Sequence, residues 1–106
     1  MIVFFNTEQQ RTACASIERL VQQFGEKKAR RIKQRLDELD AAQNLFHLKT
    51  LPAINCRSID SQNGLVAVTT IPPACILIKA INDSGASNWH KVPTVKILAL
   101  NENIYD

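Results

Sequence analysis

Lys27, Lys28, Arg30, Arg31, Lys33 and Arg35 place six cations and no acid within nine residues. Ammonium and guanidinium groups at that density bind polyanions, because each can form a charge-assisted hydrogen bond to a phosphate or carboxylate oxygen. The chain as a whole carries a formal charge of only +3, from 13 Lys and Arg against 10 Asp and Glu. The basicity is therefore local, and it points to RNA, another polyanion or an acidic protein. A solvated helix face usually alternates signs. Here the offsetting pairs at i,i+4 reduce to Glu26 with Arg30 and Lys33 with Asp37.

The remaining reactive side chains support less. Cys14, Cys56 and Cys75 are an odd number without a C-x-x-C spacing, and they read as small buried hydrophobes. His47 and His90 have no ligand partner at zinc-like spacing. No paired carboxylates, glycine-rich phosphate loop or nucleophile motif stand out, so neither a metal nor a cofactor is expected.

These groups need a scaffold, and 106 residues suffice for one domain, 1–106, with its own core. Residues 2–5 read as a short opening strand. Asn6 or Thr7 offers an N-cap, with Gln10 three residues after Thr7 as a capping box, for a first helix over 7–24, whose stripe is Ile17, Leu20, Val21 and Phe24 and whose end is Gly25. Residues 26–42 form a second helix, with Ala29, Ile32, Leu36 and Leu39 inward. An advance of about 100° per residue puts Lys27, Lys28, Arg30, Arg31 and Arg35 outward, with Lys33 at the apolar edge. Asn44 to Pro52 reads as one more helical turn.

After Pro52 the apolar period changes, and four strands are expected at 53–59, 65–71, 75–82 and 92–100. Their links are a turn at 60–64, Pro72-Pro73, and a polar loop at 83–91 in which Trp89 would anchor an open end of the core. Links this short favour an antiparallel meander. The expected fold class is α+β, a two-helix hairpin packed on one face of an antiparallel four- to five-stranded sheet. The apolar runs 75–78 and 95–100 are its expected central strands. No segment approaches the roughly 20 apolar residues of a membrane span, and no export signal precedes residue 6, so the expected location is the cytoplasm.

Ile2-Val3-Phe4-Phe5-Asn6, the run Arg30 to Leu39, Ala41-Ala42, Leu51-Pro52 and Trp89 through Val95-Lys96-Ile97-Leu98 together resemble the HigB-like plasmid maintenance "killer" branch of the RelE/ParE toxin superfamily. The resemblance spans nearly the whole chain. It implies a cytoplasmic toxin of a type II toxin-antitoxin pair, neutralised by an antitoxin that often carries a helix-turn-helix. The RelE and HigB branches cut mRNA on the ribosome without a metal, whereas the ParE branch poisons DNA gyrase.

The resemblance also assigns positions. The nuclease branch uses basic residues in the first meander turn, an Arg in the third strand and a C-terminal Tyr-His pair. Here the turn holds Gln62 and Asn63 with Arg57 as the nearest cation, and the strand position holds Cys75. The ending matches either as Ile104-Tyr105-Asp106, which supplies the Tyr, or ungapped as Glu102-Asn103-Ile104, and neither supplies the His. The implied activity is a metal-independent mRNA endonuclease with a degenerate site, Tyr105 and Arg57 assisting cleavage and Lys27 to Arg35 holding ribosomal RNA. The alternative is a non-catalytic binding module, either an inhibitor of a protein such as gyrase or an inactive homologue that retains antitoxin binding.

Overall fold

Side-chain caps set the helix boundaries in the computed structural model, which describes residues 1–51, 54–60, 62–81, 91 and 93–103. Thr7 Oγ1 accepts from the Gln10 amide at 3.1 Å and opens α1 (Glu8–Cys14). Ser16 Oγ accepts from the Arg19 amide at 3.3 Å and opens α2 (Ile17–Phe24). The single helix expected over 7–24 is thus two. Ser16 adopts an extended backbone, φ −146° and ψ 148°, and its hydroxyl satisfies a first-turn amide that a continuous helix would have bonded internally.

Gly25 closes α2 and opens α3 (Glu26–Ala41) by itself. Its N–H donates to Val21 O at 2.8 Å and its own carbonyl accepts from Ala29 N at 3.0 Å. Its φ of 85° with ψ of 162° lies where only glycine settles without strain. The resulting α2–α3 hairpin is the one expected. Asn44 Oδ1 accepts from His47 N at 2.9 Å and opens the short α4 (Leu45–Lys49).

The strands are β1 (Ile2–Phe5), β2 (Arg57–Asp60), β3 (Leu65–Thr69), β4 (Ala74–Ala80) and β5 (Thr94–Asn103), in the sheet order β1-β5-β4-β3-β2. β2 to β5 form the expected antiparallel meander, with β4 and β5 paired on both sides. The expectation of a wholly antiparallel sheet fails at β1, which pairs with β5 in parallel, Ile2 against Thr94 through Phe5 against Ile97. Short links dictate direction only between consecutive strands, and β1 reaches β5 across the whole helical half of the chain.

β2 also starts later than expected. Ile54 lies buried in a short 3₁₀ turn and Asn55 takes a left-handed φ of 48°, so pairing begins only at Arg57. Pro52, Ala53, Trp89, His90 and Tyr105 lie outside the described residues.

The helices cover one face of this mixed sheet. Leu20, Ile32, Leu39, Leu45 and Leu48 pack against Val66, Val68, Ile76, Ile78, Val95 and Ile97. Among the described residues, no helix is long and apolar enough to cross a membrane.

Candidate nucleic-acid interface

The cationic run lies wholly on α3, but its six members have different environments. Lys27 and Lys28 are exposed and, among the described residues, make no ion pair. Arg30 is exposed and holds Glu26 Oε1 at 2.7 and 3.1 Å. Lys33 is half-buried and donates to Asp37 Oδ1 at 2.7 Å. Both pairs are those anticipated from the i,i+4 spacing.

Arg35 corrects the expectation that it faces outward, for it is only 2 % exposed. Its Nε donates to the Thr69 carbonyl at 2.7 Å and its Nη1 to both carboxylate oxygens of Glu38 at 3.0 and 3.1 Å. Three residues after Ile32 and four before Leu39, it projects only about 60° from the buried stripe. A guanidinium at that angle can enter the protein once acceptors meet it, and here they do.

Arg31, one turn earlier, stays exposed and touches the Thr70 carbonyl at 3.4 Å. Arg57, the first residue of β2, points toward the same place and donates through Nη1 to Thr69 Oγ1 at 2.9 Å. Asn55 Nδ2 approaches that hydroxyl at 3.4 Å. Three arginines from two distant segments therefore converge on Thr69 and Thr70, where β3 ends beside α3. Thr69 and Thr70 are themselves buried. The arrangement brings the guanidinium groups of Arg31 and Arg57 to one corner, where they can meet phosphates of a polyanion, while the charge of Arg35 is already met by Glu38.

The positions that the family resemblance would use for cleavage are altered in the fold as in the sequence. Cys75 is fully buried as the register partner of Thr69, so this position offers no cation. In the turn after β2, Asp60 accepts from Asn63 Nδ2 at 2.7 Å and from the backbone N–H groups of Gln62 and Asn63. The side-chain bond from Asn63 above all holds the Asp60 carboxyl below the usual carboxylate range, so this turn presents a negative charge.

Burial pushes the Cys14 thiol up to about 11, opposed weakly by Lys33. Burial does the same to Cys56, also up to about 11, against Lys49 and Arg57. Neither thiol supplies a thiolate nucleophile near neutral pH. Among the described residues, no group of His, Cys, Asp and Glu is arranged to hold a metal ion. An open groove of about 480 Å³ between α1 and α2 shares no residue with the Thr69–Thr70 corner, and its acid, Glu8, is already paired with Arg11.

No family model, curated protein or solved structure matches this chain. The parts of the corner that sequence reasoning missed are Asn55, Thr69, Thr70 and Glu38. Glu38 stands at i+3 from Arg35, a readable pairing. Nothing in the spacing signals that Thr69 and Thr70 lie beneath α3.

Proposed function

We propose that this chain is the toxin of a type II toxin-antitoxin pair, RelE/ParE-like in fold and HigB-like in sequence, acting in the cytoplasm on ribosome-bound mRNA. The convergence of Arg31, Arg35 and Arg57 on Thr69 and Thr70 carries the reading, because it joins the RNA-holding helix to the strand cation assigned to cleavage. The helical hairpin inserted between β1 and the β2–β5 meander supports it as well.

In this reading Lys27, Lys28 and Arg31 hold phosphates directly. Arg30 and Lys33 join them by exchanging an exposed carboxylate for a phosphate, a low-cost step because surface ion pairs are worth little. Arg35 contributes by fixing the helix. Cleavage without a metal requires a base for the 2′-hydroxyl, cations on the scissile phosphate and an acid for the leaving oxygen. Arg57 is the cation near that site, and Tyr105 is the remaining proton carrier.

A second reading, binding without cleavage, is favoured by the burial of Cys75 where the family's Arg would stand. Inducing the chain alone in a bacterial host and mapping mRNA 5′ ends separates the two. New ribosome-phased ends that vanish in an Arg57→Ala, Tyr105→Phe double variant support the nuclease. Growth arrest without new ends supports the binding module acting on gyrase or another target. Absence of arrest overturns both toxin readings and leaves only the inactive homologue.

A further inference from the structure

The face of the sheet opposite the helices, on which register also places Arg57 and the Thr69 side chain, carries a second patch made of other residues. Side chains alternate along each strand, so Val3, Phe5, Ile78, Ala80, Val95 and Ile97 enter the helical core while their neighbours point away. Register then sets Phe4 against Lys96, Lys96 against Lys79, and Lys79 against Leu65, one row across four adjacent strands. Ile2 and Phe4 are 57 % and 53 % exposed on the β1 side of the two lysines, and Leu65 and Leu77 are partly exposed on their β3 and β4 side.

Two features make the row unsatisfied. Lys79 and Lys96 are like charges directly opposed on the neighbouring strands β4 and β5, an arrangement that costs stability. Among the described residues, neither ammonium group makes an ion pair or a hydrogen bond. A carboxylate placed between them would bond both ammonium groups at once. The side chains around it are apolar, so the group that brings the carboxylate should bring apolar neighbours too. At about 4.8 Å between strands the row is about 14 Å wide, enough to seat a helix or a pair of extended strands.

We propose that this outer sheet face binds an acidic, apolar segment of a partner protein, with a carboxylate seated between Lys79 and Lys96 and apolar side chains over Ile2, Phe4, Leu65 and Leu77. RNA fits less well, because three of those four apolar side chains are aliphatic and give bases no stacking platform. The inference does not rest on RNA binding by α3, since the two surfaces share no residue.

The test is selection from a random peptide library displayed on phage against the full immobilised chain. The expected consensus has Asp or Glu flanked by Leu, Ile, Val or Phe. A synthetic peptide of that consensus should lose about tenfold or more in affinity with Lys79→Glu or Phe4→Ser and change less than about twofold with Lys27→Glu plus Lys28→Glu. Lys79→Glu also controls for folding. It replaces a repelling pair by an attracting one, so the free variant should melt roughly 2–5 °C higher than the parent chain. No enrichment, a consensus without acids, or affinity unchanged by Lys79→Glu overturns the proposal. Displacement of the peptide by a short oligouridylate that itself depends on Lys79 overturns it too, in favour of RNA.

Discussion

Arg31 and Arg35 stand one helical turn apart on α3 and are the same residue in the same basic run, yet one is exposed and the other 2 % exposed. What separates them is acceptors. Arg35 meets the Thr69 carbonyl and the Glu38 carboxylate at 2.7 to 3.1 Å, whereas Arg31 has one carbonyl at 3.4 Å. A cluster of cations in a sequence is thus a mixture of exposed and structural groups, and the acceptors that the fold brings to each one sort them.

The sharpest way to break this distinction is to truncate both arginines. Arg35→Ala should cost about 3 kcal/mol, because it leaves the Thr69 carbonyl without its charged donor and opens space in the interior. Arg31→Ala should cost under about 0.5 kcal/mol, as expected for an exposed side chain. Urea unfolding midpoints measure both, and equal costs would erase the difference.

Gly25→Ala tests whether the hairpin that presents both arginines depends on its one special backbone position. No atom lies within 4 Å of an added Cβ, so any cost is conformational. For a residue held at φ 85° and ψ 162°, it should be about 2 kcal/mol. A thermal melt reports it, and an unchanged melting temperature would mean that the hairpin relaxes freely at this joint.

Reversing the exposed group, with Lys27→Glu, Lys28→Glu and Arg31→Glu together, should lower affinity for a ribosomal RNA fragment by about tenfold or more. The slope of log affinity against log salt should fall by about 2, roughly 0.7 per lost phosphate contact. Fluorescence anisotropy across a salt series measures both quantities. Stability should hold or rise slightly, because Lys27 and Lys28 lie at the helix end where the backbone dipole is already positive. The smallest effect belongs to Arg30→Ala, which gives up only an exposed pair with Glu26 and should change stability by less than about 0.5 kcal/mol.

Much of the fold was legible where local chemistry decides it. Thr7 or its neighbour Asn6 and Asn44 read as helix starts from their side-chain oxygens, Gly25 reads as a helix end from its backbone freedom, and the i,i+4 pairs of α3 form where spacing puts them. Ser16 was missed because the apolar stripe of α2 masked a cap. The parallel partner of β1 was missed because no local signal connects residues 2–5 to 94–97. The site was legible as charge but not as place. Nothing near residue 31 in the chain reports that it meets the Thr70 carbonyl, a contact made only when α3 packs beside the end of β3, whereas Arg57 reaches Thr69 across the β2–β3 pair.

Gln10 shows how narrowly one surface position can be constrained. Its Oε1 accepts from the Asn6 amide at 3.1 Å, and its Nε2 donates to the Leu98 carbonyl at 2.9 Å. Leu98 is the residue skipped where the β4–β5 register shifts from Leu77 against Ala99 to Ile78 against Ile97. One amide thus serves a helix start and a bulged strand together. Glu would accept at one end but have no proton to donate at the other, and Asn would be a methylene too short to span both. Among side chains of this size only Gln meets both demands, so variants that fold should keep Gln10 even while the exposed residues around it change.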